Sequence, residues 1–85
     1  MLIKIKTNFC GQSEIDLEMP TLKKVLIELS ERIKVPIYNP TIEEVRGDFK
    51  IYLNGVEYEG LPRGTDTELK DGDNVEVTII FLAGG

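Results

Sequence analysis

The chain has no histidine, no tryptophan and a single cysteine, Cys10. Without histidine, the usual general base and the usual protein ligand for zinc are both missing. One cysteine excludes an internal disulfide and a four-cysteine iron–sulfur site. Basic residues are in deficit: 10 Lys+Arg stand against 15 Asp+Glu, for a formal charge of −5. A phosphate-tracking nucleic-acid binder would carry a basic face instead, so no nucleic-acid partner is expected. Nowhere do about 18 apolar residues run together, so no membrane-spanning helix is expected. The opening Met1-Leu2-Ile3-Lys4-Ile5-Lys6 alternates and lacks the continuous apolar core of a signal peptide. With one free thiol, the expectation is a cytoplasmic protein. Together these absences point away from a self-sufficient enzyme.

What is present fits a single globular domain spanning residues 1–85, with 41% hydrophobic and 29% charged residues. Ile3, Ile5, Thr7 and Phe9 alternate with Lys4, Lys6 and Asn8, the period of a half-buried strand. Cys10-Gly11-Gln12 supplies a turn, and Glu14 to Met19 alternates again, with Ile15, Leu17 and Met19 expected inward. Two such runs joined by a short glycine-containing loop read as an antiparallel hairpin. The period then changes. Leu22, Val25, Leu26, Leu29 and Ile33 form one helical stripe, with Thr21 as N-cap and Pro36 as the stop. Glu28 and Arg32 make an i,i+4 pair on its outer face.

Tyr38 to Asp48 reads as a loop with a short helical turn around Ile42–Val45. Phe49–Leu53, Asn54-Gly55 and Val56–Glu59 form a hairpin signal, because Asn-Gly tolerates the two positive φ angles of a type I′ turn. Gly60 to Thr67 reads as irregular, Thr67–Lys70 as a 3₁₀-like turn anchored by Leu69, and Asp71-Gly72-Asp73 as a turn. In the last strand Val75, Val77, Ile79 and Phe81 alternate with Glu76, Thr78, Ile80 and Leu82. One amphipathic helix buries its stripe against one sheet face, which makes an α+β domain of two layers. If the first and last strands are the parallel centre pair, the layout is a β-grasp: a mixed four- to five-stranded sheet on one helix.

Two features remain for function. Ile80 and Leu82 fall on the side of the last strand away from the core, and with Tyr52 or Leu2 they could form a partner-docking patch. Leu82-Ala83-Gly84-Gly85 then gives a thin, flexible tail over residues 82–85, with the α-carboxylate of Gly85 as its reactive group. Glycines lack Cβ, so such a tail can thread a narrow channel. A carboxylate needs prior activation, for example as an acyl-adenylate made by another protein. Glu14, Asp16 and Glu18 read as a solvated face rather than a metal site, and Cys10, with no histidine to activate it, as structural or incidental.

The chain resembles the MoaD/ThiS sulfur carriers, the ubiquitin-like proteins that include the small subunit of molybdopterin synthase. The resemblance covers essentially the whole chain. It is carried by the N-terminal hairpin, the helix Leu22–Ile33, Leu53-Asn54-Gly55, Leu69-Lys70-Asp71-Gly72-Asp73-Asn74-Val75 and Gly84-Gly85. It implies a carrier rather than a catalyst. An E1-like adenylyltransferase of the MoeB/ThiF kind would use Mg-ATP to adenylate Gly85, and a sulfur donor protein would convert it to a thiocarboxylate. The carrier itself would bind no cofactor and no metal. Gly84 and Gly85 would enter the partner's active site, with Ile80, Leu82, Ala83 and Tyr52 at the contact. A molybdopterin synthase large subunit is a further partner in one branch. Ile79-Ile80-Phe81-Leu82-Ala83 stands where those small subunits often carry prolines, so the sulfur acceptor stays open. Conjugation of the diglycine to lysines of other proteins, as in the ubiquitin-related and archaeal modifiers, and a plain β-grasp interaction module are the alternatives.

Overall fold

The computed structural model describes residues 1–80. Strands β1 (Leu2–Thr7) and β2 (Gln12–Asp16) form the N-terminal hairpin, followed by helix α1 (Leu22–Ile33). A small ribbon, β3 (Tyr38–Asn39) with β4 (Glu44–Val45), precedes the second hairpin, β5 (Phe49–Leu53) with β6 (Val56–Glu57). Two 3₁₀ turns, Tyr58–Gly60 and Gly64–Asp66, lead to the last strand, β7 (Asn74–Ile79). The main sheet has five strands in the order β2-β1-β7-β5-β6. Its centre is the parallel pair β1–β7, registered from Lys4↔Asn74 to Thr7↔Val77. The other pairs are antiparallel. One helix on a mixed sheet with this parallel centre is the β-grasp arrangement expected from the sequence, and the sheet has five strands.

Helix α1 begins where Thr21 accepts the Lys24 backbone N–H on its side chain, and it ends with Lys34 at φ 57, a left-handed C-cap two residues before Pro36. Leu22, Val25, Leu26 and Leu29 are fully buried against the sheet. Each such side chain contributes about 1.5–3 kcal/mol relative to exposure. From the sheet come Ile3, Ile5, Ile15, Ile51, Val75 and Val77, and from the ribbon Ile37 and Tyr38. Asn54 (φ 49) and Gly55 (φ 87) make the expected turn with both angles positive.

Four expectations need correction. Ile42–Val45 is not a helical turn: Tyr38 pairs with Val45 and Asn39 with Glu44, so the segment is a ribbon whose tip exposes Ile42. Strand β2 ends at Asp16, and Met19, expected inward, takes φ 48 and is 78% exposed. Strand β6 stops at Glu57, and the 3₁₀ turns lie in the stretch that read as strand end and irregular chain. Thr67–Lys70 is not a 3₁₀ turn. Leu22 N–H donates to Thr67 O at 3.0 Å and Leu69 N–H to Pro20 O at 2.9 Å, so the segment pairs with the helix entry, and buried Leu69 remains its anchor. The inward placement expected for Phe81 lies outside the described residues.

Candidate functional site

The Leu69–Val75 run, which reads as a motif, is built for structure. Asp71 Oδ1 accepts the Leu2 N–H, and the Gly72 N–H donates to Leu2 O at 2.7 Å, which fixes the start of β1 beside the turn. Asp73 Oδ2 accepts the Lys70 N–H at 2.7 Å, and Gly72 takes φ 87. These carboxylates accept from backbone N–H groups, and Asp73 also from the Asn54 side-chain amide, at the end of the sheet opposite the exit of β7.

The exit itself is held from two sides. Beyond Thr7 the chain leaves the β1 ladder in a turn, where Thr7 N–H donates to Gly11 O at 2.9 Å and Thr7 Oγ1 accepts the Cys10 N–H at 2.6 Å. Asn8 fills the place of a strand partner. Its Oδ1 accepts the Ile79 N–H at 2.9 Å and its Nδ2 donates to Ile79 O at 3.2 Å. On the other side, Ile80 N–H donates to Asp48 O at 2.7 Å. Phe9 and Phe49 close the inner face at this end, with ring centroids 5.9 Å apart. Ile80 is 38% exposed.

The expected docking residues separate along the sheet. Tyr52 is level with Glu76, and Lys50 with Thr78, so Tyr52 stands four residues from the level of Ile80, roughly 13 Å along the strands. Leu2 lies at the opposite end of the parallel pair, below Lys4 and Asn74. Ile80 is therefore not joined to Tyr52 or Leu2 in one patch. Between them the outer face is polar, with Lys50 and Glu57 paired at 3.2 Å. Leu82, Ala83, Gly84 and Gly85 lie outside the described residues. Asn8 and Asp48 were missed by sequence reasoning. The available signal was an amide residue directly after the last inward residue of a central strand.

Lys23 pairs with Asp66 at 3.5 Å and Glu43 at 3.7 Å, and Asp66 foremost pushes its ammonium above the usual range. Among the described residues no group of three His, Cys, Asp or Glu side chains could hold a metal ion. Cys10 is exposed. No helix among the described residues is long and apolar enough to cross a membrane.

The sequence matches no protein-family model and no curated protein. Solved structures do share its fold. Small archaeal modifier protein 1 from Methanosarcina acetivorans superposes with a TM-score of 0.76 at 22% identity, over 99% of this chain and 96% of that one. The protein of the same name from Haloferax volcanii gives 0.75 at 12% identity, over 100% of both chains. A chain of the Amycolatopsis orientalis BexX/CysO complex gives 0.70 at 16% identity, over 94% and 97%. At these identities the likeness is one of fold.

Proposed function

We propose that this chain is a ubiquitin-like sulfur carrier of the MoaD/ThiS kind, working in the cytoplasm as the substrate of an E1-like adenylyltransferase. The observation that carries the reading is the exit of β7. The central strand ends at Ile79, held by Asn8, with the next residue, Ile80, held by Asp48 and Gly84-Gly85 following a few residues later in the sequence. The fold shared with small archaeal modifiers and with a chain of the BexX/CysO complex supports it.

In this reading the chemistry belongs to the Gly85 carboxylate. A Gly85 carboxylate oxygen attacks the α-phosphorus of ATP held with Mg²⁺ on the partner; pyrophosphate leaves and an acyl-adenylate forms. The terminal sulfur of a donor-protein persulfide then attacks the acyl carbon and AMP leaves; a thiol cleaves the resulting acyl disulfide, taking up the donor's sulfur as a disulfide, and Gly85 ends as a thiocarboxylate. The small Gly84 and Ala83 admit this end to a narrow channel, while Ile80 and Leu82 supply apolar contact beside it and Tyr52 a separate contact further along the sheet. Sulfur transfer to a cofactor precursor of the molybdopterin type, on a synthase large subunit, is the branch we favour.

The names of two fold neighbours favour a second reading, a modifier conjugated to lysines through the same carboxylate. Both require adenylation, so the decisive test is ATP–pyrophosphate exchange with the E1-like enzymes of the same organism. Exchange with the full chain and none after deletion of Gly85 supports the proposal. No exchange with any of them overturns it. Diglycine remnants on lysines of digested lysate would select the modifier branch.

A further inference from the structure

We propose that Asn8 is a positioning residue for activation: its side-chain amide fixes the end of β7 and so presents Ile80 to the adenylating partner. The inference rests on the carrier reading above.

The β1–β7 ladder runs only as far as Thr7↔Val77. After it the chain turns away at Asn8, so among the described residues the β1 side of Ile79 has no backbone partner. Both polar groups of Ile79 are met by the one side chain, at 2.9 Å and 3.2 Å. A primary amide carries a donor and an acceptor in one plane, as a peptide unit does. Asn8 therefore continues the ladder by one residue pair in side-chain form. Aspartate keeps the acceptor and loses the donor, and alanine loses both. With Asp48 O holding the Ile80 N–H at 2.7 Å, the last strand is tied on both sides up to the residue that faces the partner.

Without Asn8 the end of β7 opens, and part of the population carries Ile80 on loose chain. The partner binds only the ordered fraction, so the apparent affinity falls by that fraction while the bound complex is unchanged. The effect therefore lies in KM and not in kcat.

The test combines two measurements on the full chain. Amide hydrogen exchange reads the strand end in Asn8→Ala and Asn8→Asp, and pyrophosphate release with the E1-like enzyme and Mg-ATP gives KM and kcat for the same chains. Asn8→Ala is expected to lose protection at Ile79 and Ile80 while Val77 keeps it, and to raise KM roughly tenfold with kcat within about twofold. Asn8→Asp, which keeps the acceptor, is expected to fall between the two and carries the test if the alanine variant does not fold. Unchanged KM in an activated chain, or a fall in kcat at constant KM, overturns the role of Asn8 alone. A wild-type chain that no E1-like enzyme activates overturns the carrier reading and this role with it.

Discussion

Asn54 and Asn74 are joined by two hydrogen bonds: the Asn54 N–H donates to Asn74 O at 2.8 Å, and Asn54 Oδ1 accepts the Asn74 N–H at 2.9 Å. A third bond runs from Asn54 Nδ2 to Asp73 Oδ1 at 3.2 Å. The tip of the β5–β6 hairpin thereby fixes the start of the strand whose other end leads to Gly85. Asn54 also sits at φ 49, where an alanine is strained.

Asn54→Ala loses the side-chain bonds and pays the left-handed cost, and should lower stability by about 2–3 kcal/mol. Asn54→Gly loses only the bonds and should cost about 1 kcal/mol. Urea unfolding of both variants checks this, and equal losses would remove the backbone part of the argument.

Tyr38 is 3% exposed, and its hydroxyl has no hydrogen-bond partner among the described residues. A buried unpaired hydroxyl is a cost that phenylalanine does not carry. Tyr38→Phe should therefore be neutral or stabilising by up to about 1 kcal/mol. A clear loss in thermal unfolding would show that the hydroxyl has a partner.

Ile80 and Leu26 should behave oppositely. Leu26 is fully buried, so Leu26→Ala should cost about 2–5 kcal/mol. Ile80→Asp lies on the surface and should change stability by no more than about 0.5 kcal/mol. It should nonetheless raise the KM for adenylation roughly tenfold, while Tyr52→Ala, further along the sheet, stays within about threefold. Paired unfolding and pyrophosphate-release assays separate the two quantities.

Stability should fall at alkaline pH. Burial pushes the Tyr58 phenol above its ordinary value of 10.0, and the Glu57 carboxylate holds the Lys50 ammonium above 10.5. Both groups bind their proton more tightly when folded. Their contribution is present below about pH 10 and is lost as pH rises through the folded values. Tyr58→Phe should flatten that decline, as read from unfolding midpoints between about pH 9 and 11. An unchanged slope would place the loss elsewhere.

Much of this fold is legible in local pattern. Period two marks β1 and β7, the stripe from Leu22 to Ile33 marks the helix, and Asn54-Gly55 marks the hairpin. Where the reading failed, a local pattern had two meanings. Ile42 and Val45 have helical spacing, yet Val45 pairs with Tyr38 across a ribbon and Ile42 is exposed. Met19 continues the alternation of its strand, but its left-handed backbone carries it out of the sheet. Tyr52 and Ile80 share an outward face, and only the β5–β7 register reveals their separation. Asn8 carries only its place beside the end of the first strand as a local signal, and its partner, Ile79, lies 71 residues away.

On the carrier function proposed above, the reactive group is the Gly85 carboxylate. Intact mass of the chain after incubation with Mg-ATP, an E1-like enzyme and a sulfur donor protein of the same organism tests it most directly. A mass gain equal to the exchange of one oxygen for one sulfur is expected, absent after deletion of Gly85. An unchanged mass, with enzymes that activate another carrier in the same mixture, would contradict it.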